Sequence, residues 1–122
     1  MCQDGGQWRQ WANYKKHDAS VGYARKAVVD STKDGGDSLY MPDVDARALE
    51  RQAILLGVYV RTGRPNQVRK VLEFDSAIGA SEGRESRWIT VESTSGSWHG
   101  RPITEDNYKQ RLKMRVKCCD ER

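Results

Sequence analysis

Arg84 to Asn107 reads RESRWITVESTSGSWHGRPITEDN and carries the plainest structural signal in the chain. Trp88, Thr90 and Glu92 alternate with Ile89, Val91 and Ser93, the period of two that a strand imposes. The run Ser93 to Gly96 supplies the hydroxyls and the glycine of a turn. A second limb, Ser97-Trp98-His99, follows, and Pro102, which lacks a backbone N–H, limits its length. Thr104 or Asp106 then offers a side-chain cap for a helix. This is a hairpin that brings His99, Arg101 and a polar strand face together, so chemistry is expected here first.

The flanking sequence extends the sheet. Val68 to Phe74 (VRKVLEF) reads as a strand, and Val71 interrupts strict alternation as in a strand covered on both faces. Ile78 to Gly83 reads as a glycine-bounded loop. From Glu105 to about Val116, Tyr108, Leu112 and Val116 share one face of a helix whose other positions are mostly basic.

The first half reads as helical. Trp8, Trp11, Ala12 and Lys15 form one stripe and Ala24, Ala27 and Val28 another, with a break near Asp18 to Gly22. Asp34 to Pro42 is a linker. Asp43 or Asp45 caps a further helix with Val44, Ala48, Leu49, Ala53, Leu55, Leu56 and Val60 on its apolar side. Its β-branched tail, Gly57 to Arg61, also suits a strand. The expectation is one α+β domain, with N-terminal helices packed on a small antiparallel sheet and a basic C-terminal helix. Its parts are a disordered lead over 1–6, a mainly helical part over 7–62, a sheet over 68–103 and the basic helix over 105–117.

The 122 residues are 37% hydrophobic, with a mean hydropathy of -0.84, so the core is modest and the surface polar. No apolar run approaches the roughly 18 residues of a membrane span, and no signal-like segment follows Met1; a soluble chain is expected. The net charge of +4 leans towards polyanionic partners. Lys109 to Lys117 holds five positive charges and no acid, and Arg61 to Lys70 adds Arg61, Arg64, Arg69 and Lys70. Such runs are ordinarily solvated faces. Cys2, Cys118 and Cys119 sit at the termini, which is neither a disulfide framework nor a zinc pattern, and no metal or cofactor is expected. The chain has no GxSxG, no HExxH and no Lys-Ser/Thr phosphate loop.

The run Phe74, Ile78-Gly79, Gly83 to Glu92 and Gly96 to Ile103 resembles the C-terminal toxin domains of bacterial polymorphic and contact-dependent inhibition systems. The layout is similar to their barnase/colicin D/RelE-type nuclease group, over about residues 74–103. The resemblance implies a metal-independent ribonuclease, with transfer RNA as one possible substrate. It also implies delivery into a target bacterial cytoplasm and neutralisation by an immunity protein, expected to be acidic. Such chemistry needs a base, an acid and cations around the phosphorane. His99, Glu92 and Arg101 are the catalytic candidates, and Arg84, Arg87, Thr94, Lys109 and Lys113 the substrate-binding ones. The competing readings are a non-catalytic basic module that grips nucleic acid and a protein-inhibitor module that uses its basic face on an acidic partner.

Overall fold

Alternation at Trp88 to Ser93 builds the middle strand of a five-stranded sheet. The structure, a computed structural model, describes residues 9–10, 14–19, 22, 24–94 and 96–116. In chain order the elements are β1 (Arg9–Gln10), α1 (Arg25–Ser31), β2 (Leu39–Tyr40), α2 (Ala46–Leu56), β3 (Val58–Val60) and β4 (Val68–Glu73). They continue with β5 (Gly79–Ser81), β6 (Arg84–Ser86), β7 (Trp88–Ser93), β8 (Ser97–Ile103) and α3 (Glu105–Leu112). The larger sheet has the order β1-β8-β7-β4-β3, antiparallel except for β1, which runs parallel to β8; β2-β5-β6 form a second, three-stranded sheet.

The two faces of the large sheet are covered differently. Strand period puts Leu72, Ile89, Val91 and Trp98 on one face, where Ala53 and Ile54 of α2 complete the main apolar cluster with Tyr40 and Ile78. On the other face α3 covers one part. Tyr108 and Leu112 pack there against Val60, Val71 and Ile103, beside Trp88. Caps set where these helices start: the Asp45 carboxylate accepts from the Ala48 N–H, and the Thr104 hydroxyl accepts from the Asn107 N–H. Lys70, buried in β4, donates from Nζ to the Ile54 carbonyl in the last turn of α2, where helix carbonyls lack intrahelical partners.

The expected N-terminal helical layer on a small antiparallel sheet is not the architecture. Among the described residues eight strands in two sheets dominate, and the three helices are short. Arg9–Gln10 pairs with Ser97–Trp98 of β8, and residues 14–19 form a loop. Among the described residues of the first half, helix is confined to α1 and α2. Period-3.6 spacing in short segments is a weak signal that tertiary pairing overrides. The Gly57 to Arg61 tail takes its strand alternative as β3. Ile78 to Gly83, expected as a loop, instead pairs Gly79–Ser81 with Arg84–Ser86 through the two-residue turn Glu82-Gly83. Both turn residues have positive φ, 53° and 79°, the twist that tight hairpins favour. β8 runs through Pro102 to Ile103 because β1 covers its outer edge only at Ser97 and Trp98, and an uncovered edge tolerates a proline. The lead 1–6, Trp8, Trp11 and Cys118–Cys119 lie outside the described residues. Among the described residues no helix is long and apolar enough to cross a membrane.

Candidate active site

The register of β4, β7 and β8 places chemistry in rows. Arg69 lies opposite Glu92, and Glu92 opposite His99; in the next row Val71 lies opposite Thr90, and Thr90 opposite Arg101. All six share the sheet face away from α2. Since α3 reaches only part of that face, the Arg69–Glu92–His99 row and Arg101 form a polar patch at the margin of an apolar one.

Glu92 is the electrostatic centre. Both Nε and an Nη of Arg69 reach Glu92 Oε2 at 2.5 Å, and the carboxylate side chain is only 16% exposed. Burial alone pushes this carboxyl up. Arg69, by charge and hydrogen bond, together with Arg101 and Arg111, outweighs burial and holds it below the usual carboxylate range. Arg111 arrives from α3. Its Nη1 donates to Thr90 Oγ1 at 3.0 Å and its Nε to Asn107 Oδ1 at 3.1 Å, two neutral acceptors. Burial, followed by the charges of Arg69 and Arg101, lowers Arg111 to about 10, with Glu92 opposing. Three guanidinium groups thus face Glu92, a local excess of cation that favours a bound anion, while Asp37, Glu82 and Lys16 also line the cavity beside it.

His99 is half-buried. Burial lowers its pKa below the ordinary value, Glu92 raises it and Arg101 lowers it again. The Tyr14 ring lies against it, with centroids 4.4 Å apart and planes at 35°. His17 closes the same side. Its Nδ1 is 2.7 Å from the Ser38 carbonyl, so Nδ1 carries the proton. Burial lowers its pKa too, against the Ser38 bond, which raises it. A cavity of about 460 Å³ opens onto this group, lined among others by Tyr14, His17, Glu92, His99, Arg101 and Asn107. That is room for a nucleotide-sized ligand.

Of the residues singled out from sequence, His99, Glu92 and Arg101 come together. Arg84 lines a neighbouring cleft of about 580 Å³ with Trp88, Glu82, Glu85, Glu105 and Asp106. This cleft is larger, yet four carboxylates against one arginine disfavour a phosphate there. Arg87 pairs with Glu73 at 2.7 Å and lies over the Trp88 ring. Thr94 is exposed at the β7–β8 turn, Lys109 pairs with Glu105, and Lys113 is exposed at the end of α3. None of these four lines the His99 cavity.

Sequence reading missed Arg69, Arg111, Tyr14 and His17. Arg69 and Arg111 each sit inside one of the two basic runs, so their charge was visible; the strand register and helix docking that turn them onto Glu92 were not. Among the described residues no group of three or more His, Cys, Asp or Glu side chains is placed to hold a metal ion. Comparison of the chain with family models, with curated proteins and with solved structures finds no match.

Proposed function

We propose that the protein is a ribonuclease that cleaves RNA by transesterification at the ribose 2′-hydroxyl, without requiring a metal ion. The observation that carries this reading is the cross-strand pair Glu92–His99, ringed by Arg69, Arg101 and Arg111. An ionised carboxylate, an imidazole and the Arg101 guanidinium on one cavity, with Arg69 and Arg111 behind the carboxylate, are the base, the acid and the charge stabilisers of phosphodiester cleavage.

Glu92, kept ionised by its arginines, accepts the proton of the 2′-hydroxyl. The 2′-oxygen bonds to phosphorus and the P–O5′ bond breaks. Protonated His99 gives its proton to the departing 5′-oxygen. The products are a 2′,3′-cyclic phosphate and a 5′-hydroxyl end. Arg101 and Arg111 hold the equatorial oxygens as negative charge grows, and Arg69 keeps Glu92 in place. The tilted Tyr14 ring and the recess around His99 limit water there.

The arrangement favours cleavage over passive gripping of nucleic acid. A gripping module needs its two basic runs on one open face, but Lys70 is buried against α2 while Arg69 is bonded to Glu92. Delivery as a toxin and neutralisation by an acidic immunity protein belong to the same proposal, supported only by the resemblance over residues 74–103. The enzymatic test is an oligoribonucleotide beside a copy carrying 2′-deoxy sugars. Cleavage of the first to cyclic-phosphate ends, with the second intact, is expected. Equal cleavage of both would exclude the 2′-hydroxyl route.

A further inference from the structure

Beneath the site, on the α2 side of the sheet, lies a buried ionic group that the reaction above does not use. Glu50 of α2 is 0% exposed. The Tyr40 hydroxyl, also buried, donates to its Oε2 at 2.7 Å, and Arg47 Nε lies 3.4 Å from its Oε1. Burial raises the Glu50 carboxyl above its ordinary range against the opposing Tyr40 bond and Arg47 charge. A buried ionic group of this kind is a poor way to stabilise a core, because apolar residues of the same size do as well or better. Its other contacts explain it better.

Arg47 uses its two remaining nitrogens on the 14–19 loop. Nη1 donates to the Tyr14 carbonyl, and Nη2 meets Asp18 Oδ1 at 2.7 Å. The same loop is joined to the β2 segment at His17, whose carbonyl accepts from the Tyr40 N–H at 2.7 Å and whose Nδ1–H donates to Ser38. The β2 bonds hold His17. Tyr14, three residues back and tilted against the His99 ring, gives its carbonyl to Arg47.

We propose that Arg47, braced by Glu50 and Tyr40, is a positioning residue that clamps the 14–19 loop so that Tyr14 fixes the His99 imidazole. The clamp rests on the reading above only in its effect on cleavage; its effect on His99 stands apart. His99 faces Glu92 from β7, Arg101 from its own strand, and Tyr14 and His17 from the loop; Arg69 and Arg111 act on it through Glu92. Release of Tyr14 lets water reach the ring and lessens the burial that most lowers its pKa, so that the upward pull of Glu92 counts for more against Arg101.

The experiment is an NMR titration of the His99 ring in wild type, Arg47→Met and Arg47→Lys, with kcat and KM for RNA measured on the same samples. Arg47→Met keeps the length and apolar stem but loses all three contacts. The His99 midpoint is expected to rise and kcat to fall by about 10- to 100-fold with KM nearly unchanged, as for a misplaced catalytic group. Lysine, shorter than arginine and without its planar fork, cannot reproduce the paired geometry towards Tyr14 and Asp18 and is expected to restore neither. A folded Arg47→Met with the wild-type His99 midpoint would overturn the clamp. Should Arg47→Met not fold, Tyr14→Ala must raise the His99 midpoint, and an unchanged midpoint there overturns the clamp equally. A shifted midpoint in a protein that cleaves no RNA would support the clamp and sink the ribonuclease reading instead.

Discussion

At the residue scale, Glu92 has two tasks that a single substitution separates. It is the proposed base, and its carboxylate answers the charges of Arg69, Arg101 and Arg111. Glu92→Gln is therefore expected to lower the cleavage rate by about 10²- to 10⁴-fold, the usual worth of a general base. The same variant leaves three guanidinium groups uncompensated, so RNA is expected to bind at least as tightly as to wild type in a filter-binding assay. Loss of both activity and binding would mean that Glu92 serves the fold rather than the reaction. The histidines set the pH response. The proposed reaction requires ionised Glu92 and protonated His99 in the free protein, and both groups are shifted downward. The bell of kcat/KM against pH is expected to lie on the acid side of neutrality, with its alkaline limb below 6.5. Stability runs the other way. A histidine whose pKa is lower folded than unfolded makes the unfolded state bind more protons in between. Its contribution is full above about 6.5 and lost as pH falls through the folded value. His17 and His99 both have this sign, so their share of the urea midpoint is expected to fall from pH 7 towards pH 5, against Glu50, whose raised carboxyl acts the other way. Replacement of His17 by Gln should flatten that slope.

At the scale of elements, α3 is the carrier of Arg111, and its start is fixed by Thr104. Thr104→Ala removes the hydroxyl that accepts the Asn107 N–H and is expected to cost about 1 kcal/mol in chemical denaturation. Asn107→Ala keeps the helix but releases Arg111 Nε, so KM for RNA should rise while stability changes little. On β8, Gly100 sits between His99 and Arg101 because any Cβ there would come within 2.8 Å of the Thr90 carbonyl and of Val91 Cγ1, with Glu50 Cγ at 3.3 Å. Gly100→Ala must therefore push β8 from β7 and is expected to reduce both stability and cleavage. How well each element was legible follows its length and neighbours. β7 announced itself through six alternating residues, and α2 through an Asp cap and a continuous apolar side. β1, β2, β5 and β6 are two or three residues long, below any sequence period, and exist because a partner strand is present. Helical spacing around Arg9 and Gln10 had nothing to oppose it in the sequence and lost to that pairing, whereas the stripe at Ala27 and Val28 became α1.

For the whole molecule, the sheet divides the labour: one face packs on α2 as the main core, and the other is shared between α3 and the polar rows. That division explains why His99, Glu92 and Arg101 were readable and Arg69 and Arg111 were not. The first three lie on one hairpin, within ten residues of one another, where strand period alone gives a common face. Arg69 joins them only through the β4–β7 register and Arg111 only through the docking of α3, both long-range facts. The loop at 14–19 is further removed still, held by Arg47 from the opposite side of the sheet. The central claim is that this assembly cuts RNA with its own side chains. It is tested most directly by incubating the purified protein with total cellular RNA in the presence of a chelator, wild type beside His99→Ala. Discrete fragments with wild type and at least a hundredfold slower cleavage by His99→Ala are predicted. Intact RNA in both, or equal cleavage by both, would contradict it.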